Sequence, residues 1–157
     1  MLKWFGLSIL IIILDQWSKL SVTATMQLYE SIQIMPYFNL TYVRNEGAAF
    51  SFLSEAGGWQ RWLFAGLAFA MSILITAWIV RLKQQELLSA VALSLVLGGA
   101  VGNLIDRVAY GYVIDFLDVY YQDKHWPAFN VADSAICVGV FLMLLENFGI
   151  GRPKEET

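Results

Sequence analysis

Residues 87–107 read LLSAVALSLVLGGAVGNLIDR, and this stretch decides what kind of molecule the chain forms. It runs apolar from Leu87 to Ile105 and carries no ionisable side chain before Asp106. A bilayer hydrocarbon core of about 30 Å needs about 20 such residues in a helix, so the stretch predicts a membrane span. Its glycines, Gly98, Gly99 and Gly102, allow close approach of neighbouring helices. Its end is polar: Asn103 and Arg107, four residues apart, share one helix face.

Working outward, residues 62–80 and 130–150 are likewise apolar. The N-terminal residues 2–14 are shorter and have the length of a signal-peptide core, with small residues at Ser21-Val22-Thr23-Ala24. Asp15 and Lys19 interrupt the approach to any cleavage site, however, while Trp17, Leu20 and Val22 continue the helical pattern. An uncleaved span over residues 2–23 is the better reading. The expectation is a single all-α membrane domain over residues 1–157, with four transmembrane helices at about 2–23, 62–80, 87–107 and 130–150. The composition agrees: of 157 residues, 58% are hydrophobic, and the mean hydropathy is +0.58. That is too apolar for a soluble domain of this size.

Lys3, the pair Arg81 and Lys83, and the pair Arg152 and Lys154 flank the spans on one side, which predicts cytoplasmic termini and a cytoplasmic link between the second and third spans. Residues 24–61 and 108–129 then face outward. They hold Tyr29, Tyr37, Tyr42, Trp59, Tyr110, Tyr120 and Trp126, aromatics suited to a membrane interface. Residues 37–43 are rich in β-formers and Glu46-Gly47 supplies turn chemistry, which predicts a small extracytoplasmic β-sheet; residues 113–121 read as a second extended piece.

Ionisable groups within spans are costly and mark a site facing the bundle interior. In this topology Asp15 and Lys19 lie near the outer end of the first span, Asn103 and Arg107 at the outer end of the third, and Asn130 and Asp133 at the outer start of the fourth. With Asn45 and Asp115 in the outer loops, they converge on one leaflet, and one shared site is the simplest account. Structural alternatives stand beside it. Asp15 and Lys19 also suit an intrahelical ion pair, and Asp106–Arg107 a helix anchor near the headgroups. Asn130 and Asp133 resemble a capping box, where an acid suits the helix dipole. Asp115, flanked by Val113, Ile114, Phe116 and Leu117, needs a partner or a raised pKa.

Other chemistries find less support. The formal charge is −3 and the ten basic residues are scattered, which argues against a nucleic-acid partner. Cys137, the single cysteine, excludes an intrachain disulfide and a cysteine-based zinc site, and reads as a packing residue. Ser18–Lys19 and Asp133–Ser134 are sequence neighbours that do not face each other on a helix, so neither forms a serine dyad. His125, in a polar loop, reads as a solvated or interfacial residue. No ligand spacing supports a carboxylate-bound Mg²⁺.

Five motifs in order now resemble the lipoprotein signal peptidase (signal peptidase II) family. They are Asp15-Gln16-Trp17-Ser18-Lys19, then Asn45-Glu46-Gly47-Ala48-Ala49-Phe50-Ser51, then the segment Gly98 to Arg107, then Val113-Ile114-Asp115-Phe116, and last Phe129-Asn130-Val131-Ala132-Asp133-Ser134. The resemblance implies a bacterial inner-membrane endopeptidase that cuts diacylglyceryl-modified prolipoproteins just before the lipidated cysteine. It implies Asp115 and Asp133 as the catalytic pair. Asn45, Gly47, Asn103, Arg107, Asn130 and Ala132 would surround substrate or site, with Asp15 and Lys19 as a supporting pair. No metal or organic cofactor is implied, and globomycin-type cyclic peptides are the implied inhibitors; membrane lipids and the lipidated precursors are the implied partners.

The physical reading agrees, because a lipid-modified substrate enters sideways from the bilayer and is cut at the outer interface. Two neighbouring carboxylates do not both ionise cheaply, so one stays protonated while the other acts as base toward a shared water. Helix four's positive end favours Asp133 as base, and the apolar neighbours of Asp115 favour it as acid. Two other classes compete. A small transporter or proton-relay subunit would also carry intramembrane Asp, Lys and Arg, but through the membrane depth. A non-catalytic assembly factor would have no need of two acids.

Overall fold

The computed structural model describes residues 2–47 and 58–149. The tail of the second motif (Ala48, Ala49, Phe50 and Ser51) and the basic residues Arg152 and Lys154 lie outside them. After a single turn at Leu2–Trp4 come α1 (Phe5–Thr25), β1 (Ser31–Met35), β2 (Phe38–Asn45), α2 (Trp59–Arg81), α3 (Leu87–Ala109), β3 (Val113–Tyr121), β4 (Lys124–His125) and α4 (Val131–Asn147). The protein is predominantly helical. Three helices are long and apolar enough to cross a membrane: Leu2–Thr25, Trp59–Arg81 and Leu87–Ala109. The outer faces of α1 and α2 expose Ile9, Ile13, Trp17, Leu63, Leu67, Ile73 and Leu74, apolar as a lipid-facing surface is.

The fourth expected span, 130–150, is helical only over its 17 residues Val131–Asn147. At 1.5 Å per residue that is about 26 Å, the short end of the spanning range. Apolarity continues to Ile150, outside the described residues, but Gly149 takes a left-handed φ of 89°, which ends the helix earlier. Cys137, expected to pack, is exposed on α4. Its neighbour two residues on, Gly139, holds the contact instead, meeting the Ala92 carbonyl of α3.

Helix α3 is central, packing against α1, α2 and α4. Two of its glycines make this possible. A Cβ at Gly99 would overlap the Ala132 carbonyl oxygen of α4, and one at Gly102 would come within 2.6 Å of the Asp15 carboxylate. At one end of the bundle Ile75, Ile79, Leu82, Ala90, Leu93 and Leu97 form a core with Trp4 and Phe5, so the chain start and the α2–α3 link share that end. At the other end Val22, Met26, Tyr42, Ile114 and Phe116 join α1 to the sheet. Tyr42 is therefore a core residue rather than the interfacial aromatic expected.

The sheet is antiparallel in the order β1-β2-β3-β4. The two segments expected to be extended pair directly, Leu40 with Leu117 and Val43 with Asp115. Thr41 and Tyr42 thus stand opposite Phe116 alone, a bulge that bends β2 over the bundle end. Beyond β4, Phe129 bridges back to Leu117, and its carbonyl accepts from both Phe116 N (3.0 Å) and Leu117 N (2.8 Å). That bridge delivers the start of α4 to the side of β3.

Candidate active site

Asp115 sits on β3 and is 2% exposed. Asn45 pairs with Val113 across the ladder, which makes it the diagonal neighbour of Asp115 on the same sheet face. Its Nδ2 donates to Asp115 Oδ2 at 3.1 Å, and Asn130 Nδ2 donates to Asp115 Oδ1 at 2.6 Å. Burial, reinforced by the nearby charge of Asp133, pushes the Asp115 carboxyl up to about 7, although the two amides and the Lys19 charge pull the other way.

Asp133 occupies the first turn of α4. Asn130 is the N-cap, its side chain accepting from Asp133 N at 2.9 Å while Asp133 Oδ2 accepts from Asn130 N at 3.3 Å, a reciprocal capping box. The remaining carboxylate oxygen, Oδ1, accepts from Asn103 Nδ2 at 2.8 Å. Asn130 therefore faces both acids at once, capping α4 with its carbonyl end and holding Asp115 with its amide. The capping reading of Asp133 and its place in a shared site are compatible.

Beneath this pair lies a wholly buried ionic cluster. Lys19 Nζ is 2.8 Å from Asp15 Oδ2, 2.9 Å from Asp106 Oδ2 and 3.0 Å from Asn103 Oδ1. Gln16 Nε2 donates to Asp106 Oδ1 at 2.8 Å. Asp15 Oδ1 accepts from Ala132 N at 2.9 Å, and Asp106 Oδ2 from Ile114 N at 3.1 Å. Asp15 and Lys19 are thus more than an intrahelical pair. The anchor reading of Asp106 is overturned, because its side chain is inside and fully bonded. The sequence marks neither Asp106 nor Gln16 as a site residue, though Asp106 stands three residues from Asn103 and so on its face.

Arg107 is placed differently from the three asparagines. Its guanidinium donates to the carbonyls of Asn103 (3.3 Å) and Gly47 (3.4 Å) and lies 5.7 Å from the centre of the Phe64 ring. It frames the site and ties Gly47 to α3 but binds neither acid. Gly47 N in turn donates to Asn45 Oδ1 at 3.1 Å, which orients the Asn45 amide toward Asp115. Ala132 contributes its backbone and packs where Gly99 leaves room. Gln60, on the α2 face that carries Phe64, is buried with a carbonyl oxygen that finds no donor among the described residues.

Ser18 Oγ donates to the Asp15 carbonyl and Ser134 Oγ to that of Asn130, each back onto its own helix start or turn. His125 Nδ1 lies 2.9 Å from Asp118 Oδ1. Asp118, three residues from Asp115 along a strand, points to the opposite sheet face. Burial raises its pKa, but hydrogen bonds from His125, Asn39 and Thr41 outweigh that and hold it below the ordinary carboxylate range.

Comparison with known proteins follows the same outline. The family described as Signal peptidase (SPase) II matches residues 7–149. A lipoprotein signal peptidase of Alteromonas mediterranea is 52% identical over 155 residues, covering 99% of this chain and 85% of that protein. One of Acinetobacter baumannii is 50% identical, covering 98% of this chain and 88% of that protein. A bacterial membrane enzyme solved by the in meso method superposes with a TM-score of 0.87 at 31% identity, covering 100% of this chain and 94% of the other.

Proposed function

The chain belongs to the signal peptidase II family of bacterial membrane proteases, and from that premise we propose an aspartic endopeptidase that releases signal peptides from diacylglyceryl-modified prolipoproteins. The bond cut is the one just before the lipidated cysteine. The observation that carries the aspartic assignment is the Asp115–Asn130–Asp133 arrangement, in which one buried asparagine is hydrogen-bonded to both acids' residues, while burial and the Asp133 charge push Asp115 up to about 7.

In the proposed reaction Asp133 takes a proton from a water between the acids, and that water's oxygen adds to the scissile carbonyl carbon. Asp115 gives its proton to the carbonyl oxygen, forming a neutral gem-diol. Collapse breaks the C–N bond, with the nitrogen taking the proton from Asp133 and a diol hydroxyl returning one to Asp115. The amides of Asn45, Asn103 and Asn130 hold both carboxyls through the cycle, so little reorganisation accompanies the charge movement. No step calls for a metal or an organic cofactor.

The site belongs at the outer leaflet of the bacterial inner membrane, in a single four-span domain with both termini cytoplasmic. Lys3, Arg81 and Lys83 at the bundle end away from the sheet support that orientation. A substrate already anchored by its lipid would reach the acids sideways, and globomycin-type cyclic peptides would compete there. The proton-relay alternative draws no support from the ionisable groups. Among the described residues within the helices they gather at the sheet end, apart from Arg81, which closes α2, and Glu146, which accepts from Ser89 Oγ.

Incubation of the purified protein with a prolipoprotein, with and without its diacylglyceryl group, tests the proposal by mass spectrometry. The lipidated form should yield a product beginning at the modified cysteine. An intact lipidated precursor, or equal cutting of both forms, refutes it.

A further inference from the structure

An ammonium has three donors, and Lys19 spends each on a different residue, Asp15, Asp106 and Asn103. Each of the three passes the restraint on. Asp106 accepts the N–H of Ile114, the residue before Asp115. Asp15 accepts the N–H of Ala132, the residue before Asp133. Asn103, with its carbonyl end turned to Lys19, has its Nδ2 turned to Asp133 Oδ1. Gln16 closes the base of the cluster, donating to Asp15 Oδ2 (3.2 Å) and Asp106 Oδ1 (2.8 Å).

We infer that Lys19, through Asp15, Asp106 and Asn103, is a positioning hub that sets the separation of the two aspartates; this rests on the aspartic reading above. One arm fixes the peptide leading into Asp115 on β3, and the other fixes the peptide leading into Asp133 on α4. The two acids come from different elements, so their spacing is not set by either element's own geometry. Stability alone does not account for the cluster. Desolvating buried ions costs several kcal/mol each, and an apolar replacement of such a group is often neutral or stabilising. Placement is worth more here, since a shift of about 1 Å at reacting groups costs roughly 100-fold in rate.

The test uses full-length protein in detergent and two substitutions of Asp106. Asp106→Asn keeps an acceptor for Ile114 N but weakens the hold of Lys19. Asp106→Glu keeps the charge and lengthens the reach by one methylene. Both should lower kcat by about tenfold or more, leave KM within about twofold, and displace the alkaline limb of the pH profile. Ser8→Ala, which removes a buried bond to the Ser94 carbonyl in the same α1–α3 interface, should leave all three unchanged. Wild-type kcat and an unmoved limb in folded Asp106→Asn overturn the hub. Full activity in Asp106→Glu does so too, since it reduces the role of Asp106 to charge balance. If neither variant accumulates as folded protein, the cluster serves stability and the inference fails. A wild type that does not cleave removes the aspartic reading itself, whereas a cleaving wild type with unaffected Asp106 variants removes only the hub.

Discussion

Burial, reinforced by the neighbouring Asp133 charge, makes the Asp115 carboxyl give up its proton late, against the opposing pull of two asparagine amides. With Asp115 near 7, the alkaline limb of kcat/KM should fall close to that pH, as the acid form is lost. Because the Asn45 bond favours the charged form, Asn45→Ala should move that limb to higher pH and slow turnover by roughly tenfold, the value of one charge-assisted hydrogen bond. A limb that stays in place would show that another group sets it. The sign for stability runs opposite to the usual aspartate. A raised folded pKa contributes stability that is complete below the ordinary value of 3.8 and is lost as pH rises through about 7. The pair titrates together, so the limb reports a joint apparent value. At this scale Asp115 announces itself in the sequence, as an acid among Val113, Ile114, Phe116 and Leu117. Asp106 does not, because its partners Lys19, Gln16 and Ile114 N come from other elements and leave no local trace.

Between elements, backbone proximity at α3 does what side chains do elsewhere. Gly99→Ala puts a methyl into the Ala132 carbonyl, so it should destabilise the protein by about 1–3 kcal/mol and lower Tm, while Gly66→Ala, whose Cβ meets nothing within 4 Å, should change stability by at most about 0.5 kcal/mol. Equal melting of the two variants would contradict the packing account. Asp118 belongs to the sheet and not to the acids across it. Asp118→Asn and Asp123→Asn should therefore keep most of the activity. With its lowered pKa, Asp118 stabilises the sheet above the ordinary value of 3.8 and stops doing so as pH falls through the folded value; Asp118→Asn should flatten the acid side of the Tm profile. Strands β2 and β3 are legible from their β-formers. The two-residue β4 is not, since it exists through pairing with Tyr120 and Tyr121 and the His125–Asp118 contact. The end of α4 is misjudged for a related reason: apolar length marks a span, but Gly149 ends the helix.

For the molecule as a whole, a basic end stands apart from a sheet-bearing end, and the proposed orientation puts the basic end in the cytoplasm. With Cys137→Ser as background, cysteines at positions 3 and 84 should resist an impermeant thiol reagent in intact cells, and one at Gln122, in the turn between β3 and β4, should react. The reverse pattern would invert the topology and place the acids on the wrong side for an exported precursor. The three long apolar helices and the gathering of polar helix ends beside the sheet are legible from apolar length and charge placement, which are local properties. How Asn130 serves both acids, and how the Phe129 bridge brings α4 to β3, depends on three-dimensional contacts with no local signature. The central claim, that two aspartates share one water, is tested most directly by single-turnover cleavage of a lipidated precursor by correctly inserted wild type, Asp115→Asn and Asp133→Asn. Each Asn variant should be folded and inactive, with the wild-type rate reduced beyond detection; substantial turnover by either one would contradict the account.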